Sequence, residues 1–159
     1  MIYKEFIIRP ARNEDIHSIK NVVFGVLQEY KLKPSETGQD KDLNNIEQSY
    51  LNNDGYFGVA VDMNSNEIVG TFGLYPLSKE ICELRKMYLL KHARGKGLGN
   101  CILNYVIELA KRKHYTKIAL ETISPLKEAI SLYKQNGFRE VTPLEINERV
   151  DQAFELKLL

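Results

Sequence analysis

Apolar positions along the chain recur with two periods, and the switches between them divide it into alternating strands and helices. EFIIRPA reads as a first strand. Asn13 or Asp15 then offers an N-cap for a helix with Ile16, Ile19, Val23, Val26 and Leu27 on one face, ending near Tyr30. The polar stretch KLKPSETGQDKD, with Pro34 and Gly38, predicts a loop, followed by a shorter helix carrying Leu43, Ile46 and Leu51. YFGVAVD and EIVGTFGLYPL are rich in β-branched and aromatic residues, and the intervening MNSN supplies turn chemistry, so they form an antiparallel hairpin. ICELRKMYLL continues as a strand. Strict alternation places Glu83, Arg85, Met87 and Leu89 on one of its faces and Cys82, Leu84, Lys86, Tyr88 and Leu90 on the other. Both faces mix charged with apolar residues, so one end of this strand borders a polar cleft.

Farther along, Leu98, Ile102, Leu103, Val106, Leu109 and Ala110 make an apolar stripe opposite Asn104, Glu108, Lys111 and Arg112, which predicts an amphipathic helix. KIALET is a short strand. Ser124 and Pro125 suit the N-cap and first turn of a helix with Leu126, Ala129, Ile130 and Tyr133 on one face, closed by Gly137 as a left-handed C-cap. FREV and the stretch around QAFELKL complete the strands. Hairpins interleaved with crossovers predict an α/β (α+β) fold, a mixed, mostly antiparallel twisted sheet of about seven strands with helices on both faces. No repeat or linker interrupts the pattern, so a single domain over residues 1–159 is expected.

Composition narrows the function classes. Apolar residues at 43% and charged residues at 27% suit an ordinary globular chain, and a net charge of +1 gives no field that favours nucleic acid or an anionic membrane as partner. Lys111, Arg112, Lys113 and His114 fall at a helix end, where basic residues complement the dipole. The first residues hold no apolar run of signal or membrane-span length, which makes a cytoplasmic location the expectation. Cys82 and Cys101 lack CxxC spacing and read as core thiols. His17, His92 and His114 are scattered, so no metal is expected.

The strongest chemical signal is RGKGLG, Arg94 to Gly99, between a strand and a helix. Glycines let the backbone approach a diphosphate and adopt positive φ, while the free amides and dipole of the helix start attract the anion; Arg94 and Lys96 can add charge. The dinucleotide fingerprint requires GxGxxG, whereas Gly95, Gly97 and Gly99 give GxGxG, and the Walker loop requires Ser or Thr after its GK. Neither is met.

Arg94, Gly97 and Gly99 match the loop signature of the Gcn5-related N-acetyltransferase (GNAT) family, an Arg or Gln followed after two residues by Gly-x-Gly. The lead-in ELRKMYLL is similar to that family's fourth strand, and SLYKQNGF resembles its closing helix and turn, so the resemblance spans the chain from IIRPA through FREV. It implies a sheet in which two neighbouring strands splay apart to admit acetyl-CoA as co-substrate. The backbone of Met87, Tyr88 and Leu89 would pair with the pantetheine arm, and the amides of Arg94, Gly95, Lys96, Gly97, Leu98 and Gly99 would hold the pyrophosphate. Where many members carry an Asn after the following strand, this chain has Ser124 as the nearest substitute. Tyr133, in the LYxxxGF segment, would be the proton donor to the departing thiolate, although it also completes the apolar face of its helix. Glu83 is the candidate base, with an ion pair to Arg85 as the competing assignment. The implied activity is acetyl transfer by direct attack of a primary amine of a small molecule, such as an amino acid or a polyamine-like compound. A non-catalytic acyl-CoA-binding module and a protein or peptide amine acetyltransferase are the alternatives, and a homodimer is allowed. Glu36, Asp40, Asp42 and Glu47 hint at a cationic or polar amine, as surface solvation also would.

Overall fold

The two periods resolve, in a computed structural model describing residues 1–159, into eight strands and three α-helices. The strands are β1 (Ile2–Tyr3), β2 (Phe6–Pro10), β3 (Tyr56–Asp62), β4 (Ile68–Pro76), β5 (Ile81–Leu89), β6 (Lys117–Thr122), β7 (Arg139–Val141) and β8 (Gln152–Lys157). The helices are α1 (Ile16–Glu29), α2 (Leu98–Arg112) and α3 (Lys127–Gln135). One sheet contains all the strands in the order β1-β2-β3-β4-β5-β6-β8-β7, antiparallel throughout except for the parallel pair β5–β6. The strand beyond the expected seven is the two-residue β1, too short to show a period.

Each face of the sheet is covered by the apolar stripe of a helix, and this burial is the main driving force for the fold. Ile19, Val23 and Leu27 of α1 pack on Phe57 and Val59, whereas Leu98, Ile102 and Val106 of α2 pack with Phe72, Leu84 and Phe154 on the opposite side. Cys82 is fully buried in the second cluster, and burial pushes its thiol up to about 12. No helix is long and apolar enough to cross a membrane.

The short helix expected after the loop is instead a 3-10 turn, Lys41–Asn44, and a π-helical turn, Glu47–Leu51. Asn45 separates them: its backbone is extended and its side-chain oxygen accepts the Gln48 N–H at 3.0 Å, a local bond that competes with helix continuation. The shift buries Tyr50, beside Leu43 and Ile46, rather than Leu51.

Strict alternation also fails along β5. Thr71 pairs with Tyr88 and Gly73 with Arg85, so Lys86 and Met87 together oppose Phe72 in a β-bulge. Lys86 adopts φ +53°, and the fully buried Thr71 hydroxyl donates to its carbonyl at 2.7 Å. The extra residue re-phases the strand. Met87 and Leu89 join Cys82 and Leu84 in the α2-side core, while Tyr88 packs on the α1 side. Glu83 therefore does not share a face with Met87, contrary to the alternation read from the sequence.

The β5–β6 pairing covers only Ile81–Glu83 against Lys117–Ala119. Beyond Glu83 the two strands diverge, and the site is built in that split. Thr71→Val keeps the side-chain shape but leaves the Lys86 carbonyl without its donor; about 1 kcal/mol of stability should be lost. Urea unfolding checks this as a lower midpoint with an unchanged slope.

Candidate active site

A cavity of about 980 Å³ opens at the split. Its walls come from the end of α1, the turns over residues 38–53, β5 from Glu83 to Tyr88, the end of β6, α3 and Arg149. The β5 edge that would face β6 has no strand partner beyond Glu83, so Met87 and Tyr88 border the opening, whereas Leu89 does not line it and its carbonyl is taken by Arg94.

The glycine loop lies at the far end of β5. Gly95 and Gly97 adopt φ +74° and +81°, the left-handed region that glycine enters without penalty. These two turns aim the backbone so that the N–H groups from Gly95 through Asn100 have no hydrogen-bond acceptor in the protein. A run of free amides at the start of α2 is an anion site of the helix-terminus type. The N-terminal hairpin braces it from outside, where Lys4 Nζ and the Tyr3 hydroxyl donate to the Lys96 carbonyl at 2.8 and 3.3 Å.

The side chains of the loop do not add the charge expected of them. Arg94 forms a bidentate pair with Glu29 at 2.7 and 3.0 Å and gives its Nε–H to the Leu89 carbonyl, which locks the loop to α1 and β5. Lys96 Nζ pairs with Glu5 at 2.9 Å. Both cations stabilise the loop, and the amides alone face an incoming anion.

The acidic residues of the second quarter of the chain are similarly committed. Glu36 pairs with Lys20 at 2.8 Å, and Glu47 accepts the Asn13 N–H at 3.2 Å. Asp40, fully buried, takes both ends of the Arg149 guanidinium at 2.7 Å and sits 3.3 Å from Lys86 Nζ. Burial alone would raise its pKa; the Arg149 and Ser35 hydrogen bonds and the neighbouring cations outweigh that and hold the carboxyl below its usual range. Asp42 accepts the Tyr50 hydroxyl proton in a short hydrogen bond and lies 3.4 Å from Lys86 Nζ. Burial, reinforced by the Asp42 charge, pushes the Tyr50 phenol well up. Together Asp40, Arg149 and Lys86 tie the loop after α1 to the β7–β8 connection and to the bulge. Neither Lys86 nor Arg149 stood out in the sequence, because a pair separated by more than a hundred residues has no local signature.

Tyr133 reaches the cavity from α3, and no protein hydrogen bond engages its hydroxyl. Its ring packs at 5.8 Å from Phe138 and 6.2 Å from Phe154. Burial, with a smaller contribution from Tyr88, holds the phenol well above its ordinary value. Glu83 lines the cavity too, ion-paired to Arg85. Opposite it, Glu121 was absent from the sequence candidates. It lies two residues beyond Ala119, the last β6 partner of β5, so it faces the same side as Glu83. Burial and then the Glu83 charge raise its carboxyl pKa against the opposing effect of Arg85.

Ser124 departs from its expected position. Its N–H and hydroxyl both donate to Asp151, at 2.8 and 2.7 Å, and it lies outside the main cavity. That tie also explains why α3 begins at Lys127 rather than beside Pro125. Thr122, Ile123 and Leu126 line the cavity where Ser124 was expected.

Residues 23–138 match the model of the acetyltransferase (GNAT) family. The chain is 34% identical over 141 residues to the N-acetyltransferase YjgM of Escherichia coli, with 85% of this chain and 83% of that protein covered. A GNAT-family acetyltransferase from Staphylococcus aureus superposes with a TM-score of 0.89 at 28% identity, over 97% of this chain and 99% of that one. The fold is likewise that of an acetyltransferase from Streptococcus agalactiae, with a TM-score of 0.86 at 23% identity over 99% of this chain and 100% of that one.

At Gly97 a Cβ would carry left-handed strain of about 1–2 kcal/mol and would stand 2.5 Å from the Tyr3 hydroxyl. Gly97→Ala is therefore expected to weaken the binding of coenzyme A, measured by titration calorimetry, by about tenfold or more. Gly95→Ala, with open space around the added methyl, meets the strain alone and should lose less.

Proposed function

The chain belongs to the GNAT family of acetyltransferases, and from that membership we propose that it moves an acetyl group from acetyl-CoA directly onto the primary amine of a small molecule. The observation that carries this reading is the junction of two unsatisfied backbone surfaces. The β5 edge that lost its partner beyond Glu83 lines the cavity with Tyr133 as far as Tyr88, and the same strand then runs on into the loop whose amides from Gly95 to Asn100 are free. A diphosphate joined to a long amide-bearing arm fits that junction. Acetyl-CoA would supply a thioester carbonyl and a thiolate leaving group, so no protein nucleophile is needed.

The residues' roles follow from their environments. An alkyl ammonium of pKa about 10.4 is neutral about once in 2,500 molecules at pH 7, so a base beside it matters, typically by about 10² to 10⁴ in rate. Glu83 is already engaged by Arg85, whereas Glu121 has no ion-pair partner and a carboxyl made more basic by burial and by Glu83. Proton acceptance is therefore assigned to Glu121, and Glu83 is assigned to holding Arg85. As the amine nitrogen bonds to the carbonyl carbon, its proton passes to Glu121 and the carbon–sulfur bond breaks.

Tyr133 acts on the departing sulfur. A thiol of pKa about 8.5 is a stronger acid than a phenol of pKa about 10, and burial widens the gap, so full transfer from Tyr133 is uphill. The hydroxyl instead stabilises the developing thiolate by a hydrogen bond, and solvent completes the protonation. This refines the donor role that the LYxxxGF resemblance implies.

Tyr133→Phe should reduce kcat about 10²-fold while leaving the affinity for acetyl-CoA nearly unchanged. Because the phenol stays protonated, wild-type activity should show no alkaline loss traceable to Tyr133 between pH 7 and 10. For Glu121 the sign is the reverse: the base must be ionised, so the rate falls as pH drops through its pKa, and the upward shift moves that limb above the usual carboxylate range. Glu121→Gln should lower kcat/KM for the amine and abolish the limb. If Glu83→Gln removes the limb instead, Glu83 is the base.

A further inference from the structure

Three cations project from the cavity wall on β5 and the β7–β8 connection, and only one of them has unused donors. Lys86 is held by Asp40, Asp42 and the Gln39 carbonyl. Arg149 gives its fork to Asp40 and a further N–H to the Lys33 carbonyl. Arg85 differs. Its Nε–H pairs with Glu83, its guanidinium lies 3.9 Å over the Tyr75 ring, and beyond an approach to the Tyr50 hydroxyl its terminal NH₂ groups have no partner in the protein. Arg85 lines the cavity, and its side chain is 30% exposed. Lys41 also lines the cavity, but its side chain is exposed and carries no planar fork to hold a carboxylate at two points.

Stacking on Tyr75 and the ion pair through Nε fix the plane of the guanidinium before any ligand arrives. The two terminal groups are then the edge that binds a carboxylate in bidentate fashion. Arg85 and Glu121 occupy matched places, each two residues beyond the last β5–β6 pair, Glu83 with Ala119, and on the same side of the sheet. A donor-only cation on one strand therefore faces a carboxylate on the other across the opening.

We propose that Arg85 anchors a carboxylate of the acceptor, so that the acetylated amine belongs to an amino acid or a similar zwitterion, its ammonium turned toward Glu121. This rests on the acetyl-transfer reading above. A polyamine would place a second ammonium against donors that cannot accept from it.

Thiol release from acetyl-CoA, measured with free amino acids, their carboxamides and the corresponding decarboxylated amines, tests the assignment. The acids should exceed the other two in kcat/KM by about 10- to 100-fold, mainly through KM. In Arg85→Gln the ratio of acid to amide should collapse toward one. Arg85→Lys, which keeps a cation for Glu83 but loses the fork, should fall between them and guards against misfolding of the glutamine variant. Equal use of acids and amides by the wild-type enzyme, or a preference that survives in both variants, overturns the proposal. If no compound releases thiol, the transfer reading fails, and calorimetry with coenzyme A present decides the anchor separately. Tighter binding of N-acetyl amino acids than of their carboxamides, lost in Arg85→Lys, supports it; equal binding overturns it.

Discussion

The hydrogen bond from the Thr71 hydroxyl to the Lys86 carbonyl supports a backbone state that a lysine would otherwise leave. A left-handed non-glycine residue costs about 1–2 kcal/mol, and one hydrogen bond contributes a net of about 1 kcal/mol. The bond therefore offsets much of the strain, and the Lys86 ion pairs to Asp40 and Asp42 act on the same residue from its other end. What the strain secures is phase. Without the bulge, Met87 and Leu89 would point toward the α1 side, and Tyr88 would enter the core against α2. With it, apolar burial is satisfied on both sides of the sheet, while β5 bends from β6 after only three paired positions. The cavity and the open edge beside it both follow from that bend.

Charge near the site divides into cations that hold the structure and a guanidinium that keeps an edge available. Arg94 and Lys96 flank the glycine loop, yet each has a carboxylate partner, and the loop presents an anion with amides instead. Backbone donors suit anion binding because they lose no side-chain rotamer freedom when the ligand arrives, and the dipole of α2 adds to them. Arg149 is bound still more tightly, because Asp40 beneath it is fully buried and would be strongly destabilising without its partner. Arg85 pairs with its neighbour on the same strand through one edge only, which leaves the other edge to the cavity.

Much of this was legible in the sequence wherever the signal was local. The helix stripe from Leu98 to Ala110, the hairpin through MNSN and the loop geometry at Gly95 and Gly97 depend on residues a few positions apart, and they appear where the pattern places them. Three features were not legible, each for its own reason. The bulge is encoded by Thr71, fifteen residues away on the neighbouring strand, so no period within β5 announces it. Ser124 and Pro125 read as a helix start, but a long-range partner, Asp151, captured the serine. Glu121 resembles any exposed strand residue until the split in the sheet places it opposite Glu83. A motif supplied the loop; only the fold supplied the company it keeps.

The two halves of the site are built from different materials, and this constrains how each can vary. The diphosphate cradle is backbone, so most side-chain changes there act through conformation at Gly95 and Gly97 rather than through a lost contact. On the acceptor side the groups facing the cavity are side chains carried by β5, by β6 and by the turns over residues 38–53. Those turns have little regular structure to hold them, and the Asp40–Arg149 pair takes its place by pinning them to the β7–β8 connection. The same pair shields Asp40 from the cavity, so the acidity of that wall is neutralised internally and does not attract a cationic acceptor. Selectivity for the amine is thereby left to the polar groups that the tie does not consume, among them Arg85, Glu121 and the hydroxyl of Tyr133.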